Sequence, residues 1–433
     1  MLTDPRKSLL KIYHASLSAV DGRRNVHDWL HSHPLESLAC VISIGKAAAA
    51  MFAGVYDACP TKIARALIIT KQGHVDKFIG DSSEASLLQR YDFPLTVVES
   101  AHPIPDQRSL DAGCTLLKFI KDSHLEAQLL FLISGGSSSL VEVLPAGISL
   151  AELEKLNSWL LGSGLNINEM NQCRTMLSCI KGGGLLSYLN GRKAGALYLS
   201  DVPNDDVSVI GSGLLASSSE NIEVDLPDSL QTLCKKAEKS TAIRLSNHSP
   251  SECALKNSIV LVNNKTARES AKLAAQLELN CLQDAIQITV IDKLLAGDVF
   301  ELAQMIVSHL KKTAPGLYIY GGEPSVKLPT NPGQGGRCQS LALAVATAIE
   351  NMDDMVFLAG GTDGSDGPGE VAGALVDSET LQRLNKKGFD AIKCLQSADA
   401  GSCLAASDDL LFTGPSGSNV MDLVLALKLP PNL

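Results

Sequence analysis

Short apolar runs alternate with stretches of helical spacing along most of the chain. In the first half, residues 38–44, 65–70, 95–99, 129–134 and 194–199 are continuous or nearly continuous apolar runs. Runs of that length bounded by glycine and polar residues read as buried strands. Between them, an alanine-rich stretch after Gly45-Lys46 and residues 106–121, 150–161 and 174–189 carry helical periodicity. Residues 217–250 change character, with little glycine and more charge, and 246–253 reads as a turn-rich connection. A second series follows: strands at 258–262, 286–291, 317–320, 355–359 and 372–376, and helices at 265–279, 298–312 and 340–349. Strands alternating with helices predict an α/β fold with a mostly parallel, Rossmann-like N-terminal sheet covered on both faces. A second α/β domain completes it.

A length of 433 residues suggests two domains. We place the boundary near 245–255, giving domains 1–250 and 251–433. With 45% apolar and 19% charged residues, the chain has the composition of a well-buried globular protein. A net charge of −10, spread along the sequence, argues against a nucleic-acid partner. No apolar run is long enough to span a bilayer, and the start, MLTDPRKSLLKIYHASL, reads as an amphipathic helix and not a signal peptide. The 11 cysteines are scattered without a C-x-x-C pair. They read as buried thiols of a cytoplasmic protein without a structural metal.

Glycine-rich junctions close several strands, where ligands collect in open α/β sheets. Residues 317–339 read LYIYGGEPSVKLPTNPGQGGRCQ. An apolar run ends at Gly321-Gly322-Glu323, and a second glycine cluster, Gly333, Gly335 and Gly336, delivers Arg337 to a helix start. Backbone amides at such a start, with an arginine fork, suit a phosphate or carboxylate. Lys46 follows a strand and opens a helix, a position for phosphate binding or transition-state charge stabilisation. Ser134, Gly135, Gly136 and Ser137–Ser139 form another junction, where the serines read equally as anion binders or a nucleophile. Asp201, Asp205 and Asp206 cluster after one strand; Asp363 and Asp366 follow another. Strand-end carboxylates suit a Mg²⁺-nucleotide site, with one left to accept a proton from an attacking hydroxyl. Asp205 and Asp366 fit turn or helix-cap roles as well. His102 is the one well-placed histidine. Neither a P-loop nor a G-x-G-x-x-G turn is present.

Together these segments resemble the glycerate 2-kinase family with a C-terminal MOFRL domain, whose older members were labelled hydroxypyruvate reductases. ISIGKAAAAM, SAHPIPDQRSLDAG, LISGGSSSL, CRTMLSCIKGGGLL, LSDVPNDDVSVIGSG, YGGEPSV, GQGGRCQSLALA, GGTDGSDGPGEVAGALVD and FTGPSGSNVMDL lie in family order over nearly the whole chain. The resemblance implies an active site in a cleft between two α/β domains, with the MOFRL region at about 315–425. It implies ATP- and Mg²⁺-dependent phosphorylation of D-glycerate to 2-phosphoglycerate. It casts Lys46, Arg337, Asp201 and Asp363 as catalytic, Asp201 or Asp363 as Mg²⁺ ligands, and Ser134, Gly135, Gly136, Ser137, Lys181, Gly182, Glu323, Gly335 and Gly336 as nucleotide-binding. The small sugar acid is the expected partner, and a homo-oligomer is compatible with this reading. The chain departs from the family pattern at Cys338 and Ser340, at Thr175 and Met176, in Ser137 to Ser139, and at Leu214. Two other readings stand beside the kinase: a reductase acting on hydroxypyruvate, and a paralogue that binds nucleotide or sugar acid without turnover.

Overall fold

The continuous apolar runs of the first half become the middle of a six-stranded sheet in the computed structural model. Residues 4–431 are described, apart from 164, 166, 218–223, 247–254 and 283–284. The strands are β1 (Ala39–Ile44), β2 (Ile63–Lys71), β3 (Leu95–Ser100), β4 (Gln128–Ile133), β5 (Ala194–Leu199) and β6 (Leu255–Val262), in the order β3-β2-β1-β4-β5-β6. The pairs β1–β2, β2–β3, β1–β4 and β4–β5 are all parallel. Every residue of β1 and of β5 is buried, which explains their lack of polar alternation. Helix Gln107–Asp122 covers one face, packing Ala112, Leu116 and Phe119 onto Ile42, Leu67 and Phe131. Its start is fixed by Asp106, which caps Arg108 N–H and pairs reciprocally with Ser109. Helix Ala48–Ala58 packs against β1, β2 and β4.

The chain divides into two compact units, Gly22–Leu261 and a second made of Met1–Asp21 with Val262–Leu433. Two expectations change. The first helix, Pro5–Ala19, joins the C-terminal unit, because Leu9, Ile12 and Tyr13 complete its core. The strand expected to open the second domain, β6, is instead the edge of the first sheet. The expected boundary at 245–255 lies mostly outside the described residues.

The second sheet holds β7 (Gln287–Val290), β8 (Leu295–Asp298), β9 (Gly316–Ser325), β10 (Met355–Gly361), β11 (Val371–Asp377), β12 (Leu410–Phe412) and β13 (Asp422–Lys428). Its path is β12-β11-β10-β13-β9-β7, with β8 also on β9. It is mixed: β9–β13, β13–β10, β10–β11 and β11–β12 are antiparallel, while β7 and β8 run parallel to β9. Alternate side chains feed opposite faces. Leu317, Ile319, Leu423 and Leu425 meet helices Pro5–Ala19 and Asn264–Glu278, and Tyr318, Tyr320, Val424 and Ala426 meet Val299–Lys312 and Arg337–Ala348.

Helix boundaries also shift. The helix expected at 174–189 is broken, since Gly182 and Gly183 take φ of 57° and 80°; helix Ile167–Met176 precedes the break and a 3₁₀ turn, Gly184–Tyr188, follows it. The charged stretch 217–250, to which the sequence pattern assigned no helix, contains helix Asp228–Ser246. Its Leu230, Leu233, Cys234 and Ala237 pack with Leu153, Leu156, Leu160 and Cys173.

Candidate active site

In the N-terminal unit, strand order reverses direction between β1 and β4, the switch point where open α/β sheets hold ligands. The loops that leave these two strands are stitched together. Gly45 takes φ of 131°, and a side chain there would collide with Ser134. Lys46 N–H donates to Gly135 O at 3.0 Å, and Ala47 N–H to the Ser134 hydroxyl at 3.1 Å. Gly136 is left-handed, and the space its missing Cβ leaves is bounded by Lys46 Cγ at 3.1 Å and His102 Nε2 at 3.2 Å. Lys46, His102 and the glycine-serine junction, three separate readings in the sequence, therefore meet. His74, which the sequence reading passed over, is buried and donates Nδ1–H to Lys46 O at 3.1 Å.

The neighbouring loops add hydroxyls and a cation. The Ser138 and Ser212 hydroxyls are 2.8 Å apart, and Ser212 also donates to Asn171 Oδ1 at 3.3 Å. Arg174 Nη1 donates to that same oxygen at 3.4 Å. Burial lowers the Arg174 pKa. Lys181, expected at a phosphate, faces elsewhere: its ammonium is 2.5 Å from Glu142, both side chains are buried, and Ser178 donates to the other Glu142 oxygen at 2.6 Å. Gly182 and Gly183 donate their amides to Ser212 O and Gly213 O, bracing that turn. Asp201 is half-buried at the end of β5. Asp206 accepts from Ser208 N–H and hydroxyl in a local turn, and Asp205 sits half-buried at φ 56°.

The C-terminal unit solves the same sequence pattern differently. Gly321, Gly322 and Glu323 lie inside β9, not in a turn after it, and Gly322 pairs with Asp422 on β13. Helix Arg337–Ala348 begins at Arg337. Arg337 grips Asp422 with both fork arms, Nε to Oδ2 at 2.6 Å and Nη2 to Oδ1 at 2.9 Å, and reaches Glu323 at 2.8 Å. Burial opposes its charge, but Asp422 and Glu323 keep the guanidinium more firmly protonated than usual. Burial lifts the Asp422 carboxyl to about 7 even with the guanidinium attached. Asp422 was not singled out from sequence, although it lies within the family-like segment FTGPSGSNVMDL.

The helix start expected to hold an anion already holds one. Asp366 Oδ1 accepts Cys338 N–H at 3.0 Å, and Oδ2 accepts Gln339 N–H at 2.8 Å and its side-chain amide at 3.0 Å. Burial raises the Asp366 pKa, and the Gln339 and Cys338 amides pull it back. Gly336 is required because Asp366 occupies the space of a side chain, and Gly335, at φ 142°, lies against Gly401. Cys338 is fully buried and Ser340 nearly so, within the core-facing first turns. Asp363 is buried and accepts Ser365 N–H at 2.8 Å; its Oδ1 and Asp422 Oδ1 lie 3.3 and 3.6 Å from where a Gly361 Cβ would stand. Tyr13 braces that strand end by donating to Gly361 O at 2.8 Å. Among the described residues no cluster of three metal-ligating side chains occurs.

Residues 8–242 match a family model described as a domain of unknown function, DUF4147, and residues 316–422 match the MOFRL family. A D-glycerate 2-kinase from Thermotoga maritima is 33% identical over 98% of each chain. A relative from Agrobacterium vitis with a provisional hydroxypyruvate reductase name is 31% identical, covering 88% of this chain and 97% of its own. The crystal structure of a glycerate kinase from Thermotoga maritima superposes with a TM-score of 0.77 at 30% identity, covering 98% of this chain and 99% of that one.

Proposed function

Because the whole chain belongs to the glycerate 2-kinase family, a family of sugar-acid kinases, we propose that it transfers the γ-phosphoryl group of ATP to the 2-hydroxyl of D-glycerate. The observation that carries this reading is the end-to-end match to a D-glycerate 2-kinase, through both units. The β1/β4 loops supply what phosphoryl transfer needs: glycine backbone that allows close approach, serine hydroxyls, and a lysine, Lys46, whose side chain passes Gly136. In this proposal Lys46 stabilises charge on the transferring group, and Ser134–Ser139 hold phosphate oxygens. Asp201 and Asp363 are hard oxygen donors at strand ends, the donor type Mg²⁺ takes in ones and twos beside nucleotide phosphates, so they fit the metal that would neutralise phosphate charge. Another carboxylate is assigned the acceptor hydroxyl and its proton. Lys181, Gly335 and Gly336 are left out of phosphate binding, since Glu142, the Ala400–Gly401 backbone and Asp366 respectively already occupy their surroundings. No helix among the described residues is long and apolar enough to cross a membrane, and the proposed setting is the cytoplasm.

A coupled ADP-release assay with D-glycerate and Mg-ATP tests the reaction, with 2-phosphoglycerate as the product to identify. Lys46→Ala is expected to lower kcat by about 10²–10³-fold, the usual loss of a charge-stabilising donor. NADH oxidation with hydroxypyruvate, without ADP release from glycerate, would replace the kinase by the reductase.

A further inference from the structure

Helix Ile167–Met176 sets Asn171 and Arg174 one turn apart, so both reach the same side. Arg174 is half-buried, yet its only hydrogen bond among the described residues is the 3.4 Å contact with Asn171 Oδ1. A guanidinium carries five donors, and removing a cation from water without matching acceptors is costly. No carboxylate pairs with it among the described residues, whereas Lys181 of the same unit is neutralised by Glu142. The groups beside it are hydroxyls: Ser138 and Ser212 bond each other and Ser212 donates to Asn171, while Ser137 next to them lacks a partner among the described residues. Ser212 holds φ of 59° between Gly211 at 59° and Gly213 at 66°, an unfavourable backbone for serine that fixes its hydroxyl beside Asn171 and Ser138. The Ser137 hydroxyl is fully buried against Gly211 with no partner. A planar oxyanion would satisfy this set, and the fork of arginine matches a carboxylate in two parallel bonds.

We propose that Arg174, with the Ser138 and Ser212 hydroxyls, receives the carboxylate of the sugar-acid substrate. This deepens the kinase reading and rests on it. It also transfers to Arg174 the role that the sequence suggests for Arg337, whose Nε and Nη2 already pair with Asp422 and Glu323. Two acids already face that single cation, which leaves it less charge to offer a carboxylate than Arg174 has.

Steady-state kinetics decide it. Arg174→Met raises KM for D-glycerate by roughly 10- to 100-fold, the loss expected for a charge-assisted pair, while KM for ATP stays within about twofold. Arg174→Lys recovers part of the loss, and added guanidinium ion recovers part in Arg174→Ala. An unchanged KM for glycerate, or a rise confined to ATP, overturns the assignment; the second result would make the anion a nucleotide phosphate. If the wild-type protein turns over no sugar acid, the kinase reading fails separately. Calorimetric titration with D-glycerate then reads the site directly: binding lost in Arg174→Met supports it, and equal or absent binding in wild type and variant overturns it.

Discussion

Two loop systems in this protein look alike in sequence and are opposite in electrostatics. Around Lys46 and Arg174 in the N-terminal unit, hydroxyls and a guanidinium gather without a carboxylate partner for Arg174 among the described residues. Around Arg337 in the C-terminal unit, its Nε and Nη2 are matched by Asp422 and Glu323, and the Cys338 and Gln339 amides by Asp366. Glycine, helix start and arginine appear in both. What separates them is whether the chain brings its own anion to the site. A saturated cation organises structure; an unsaturated one is kept, at some expense in stability, for a ligand.

The contrast has measurable consequences for folding. The largest concerns Lys181, a saturated cation inside the N-terminal unit. Lys181→Met leaves Glu142 buried and unpaired and should cost about 4 kcal/mol in urea unfolding, whereas Lys181→Met/Glu142→Leu should recover most of it. A loss below about 1 kcal/mol for the single variant would mean that the pair is not formed. Arg337→Met should cost about 3 kcal/mol, because Asp422 is left buried; the effect is smaller since the guanidinium is a third exposed and Glu323 stays in solvent. Asp366→Ala removes the acceptor for two helix amides and the Gln339 side chain, and about 2 kcal/mol is expected, with Asp366→Asn milder because it keeps one acceptor. Equal stability of Asp366→Ala and the parent would return the helix start to the role of an open anion site.

How much of this was legible in sequence follows the range of the interactions. The central strands β1, β4 and β5 of the first sheet could be read because each is a local apolar run buried over nearly its whole length. β8 and β12 escaped notice, being four and three residues long. β13 was missed although its residues are almost all buried. The apolar periodicity of 174–189 suggested one helix, but the helix stops at Met176 and two glycines farther on keep it from resuming, and only backbone geometry reveals that they are left-handed. The site divides in the same way. Lys46 and Gly136 were found because each sits at a strand end; their meeting with His102 depends on β1 and β4 being neighbours. The saturation of Arg337 could not be read at all, since Asp422 is 85 residues away and Asp366 reaches Cys338 across 28. A charge motif shows which residue is present, and only the fold shows which partner neutralises it.

The smallest effect is the sharpest test of the comparison. Arg174→Met removes a half-buried cation that makes one long hydrogen bond, and burial already disfavours its charged form. Replacing it with an apolar side chain of similar reach relieves that desolvation and leaves no buried carboxylate behind. The change in unfolding free energy should be under about 1 kcal/mol and in the stabilising direction. Urea unfolding of Arg174→Met beside Arg337→Met, without ligand, makes the measurement. Adding D-glycerate should then reverse the ranking for Arg174, because only the parent gains the stabilisation that a bound ligand confers on the folded state. A destabilisation of Arg174→Met as large as that of Arg337→Met would show that both arginines are structural, and the distinction between the two loop systems would collapse.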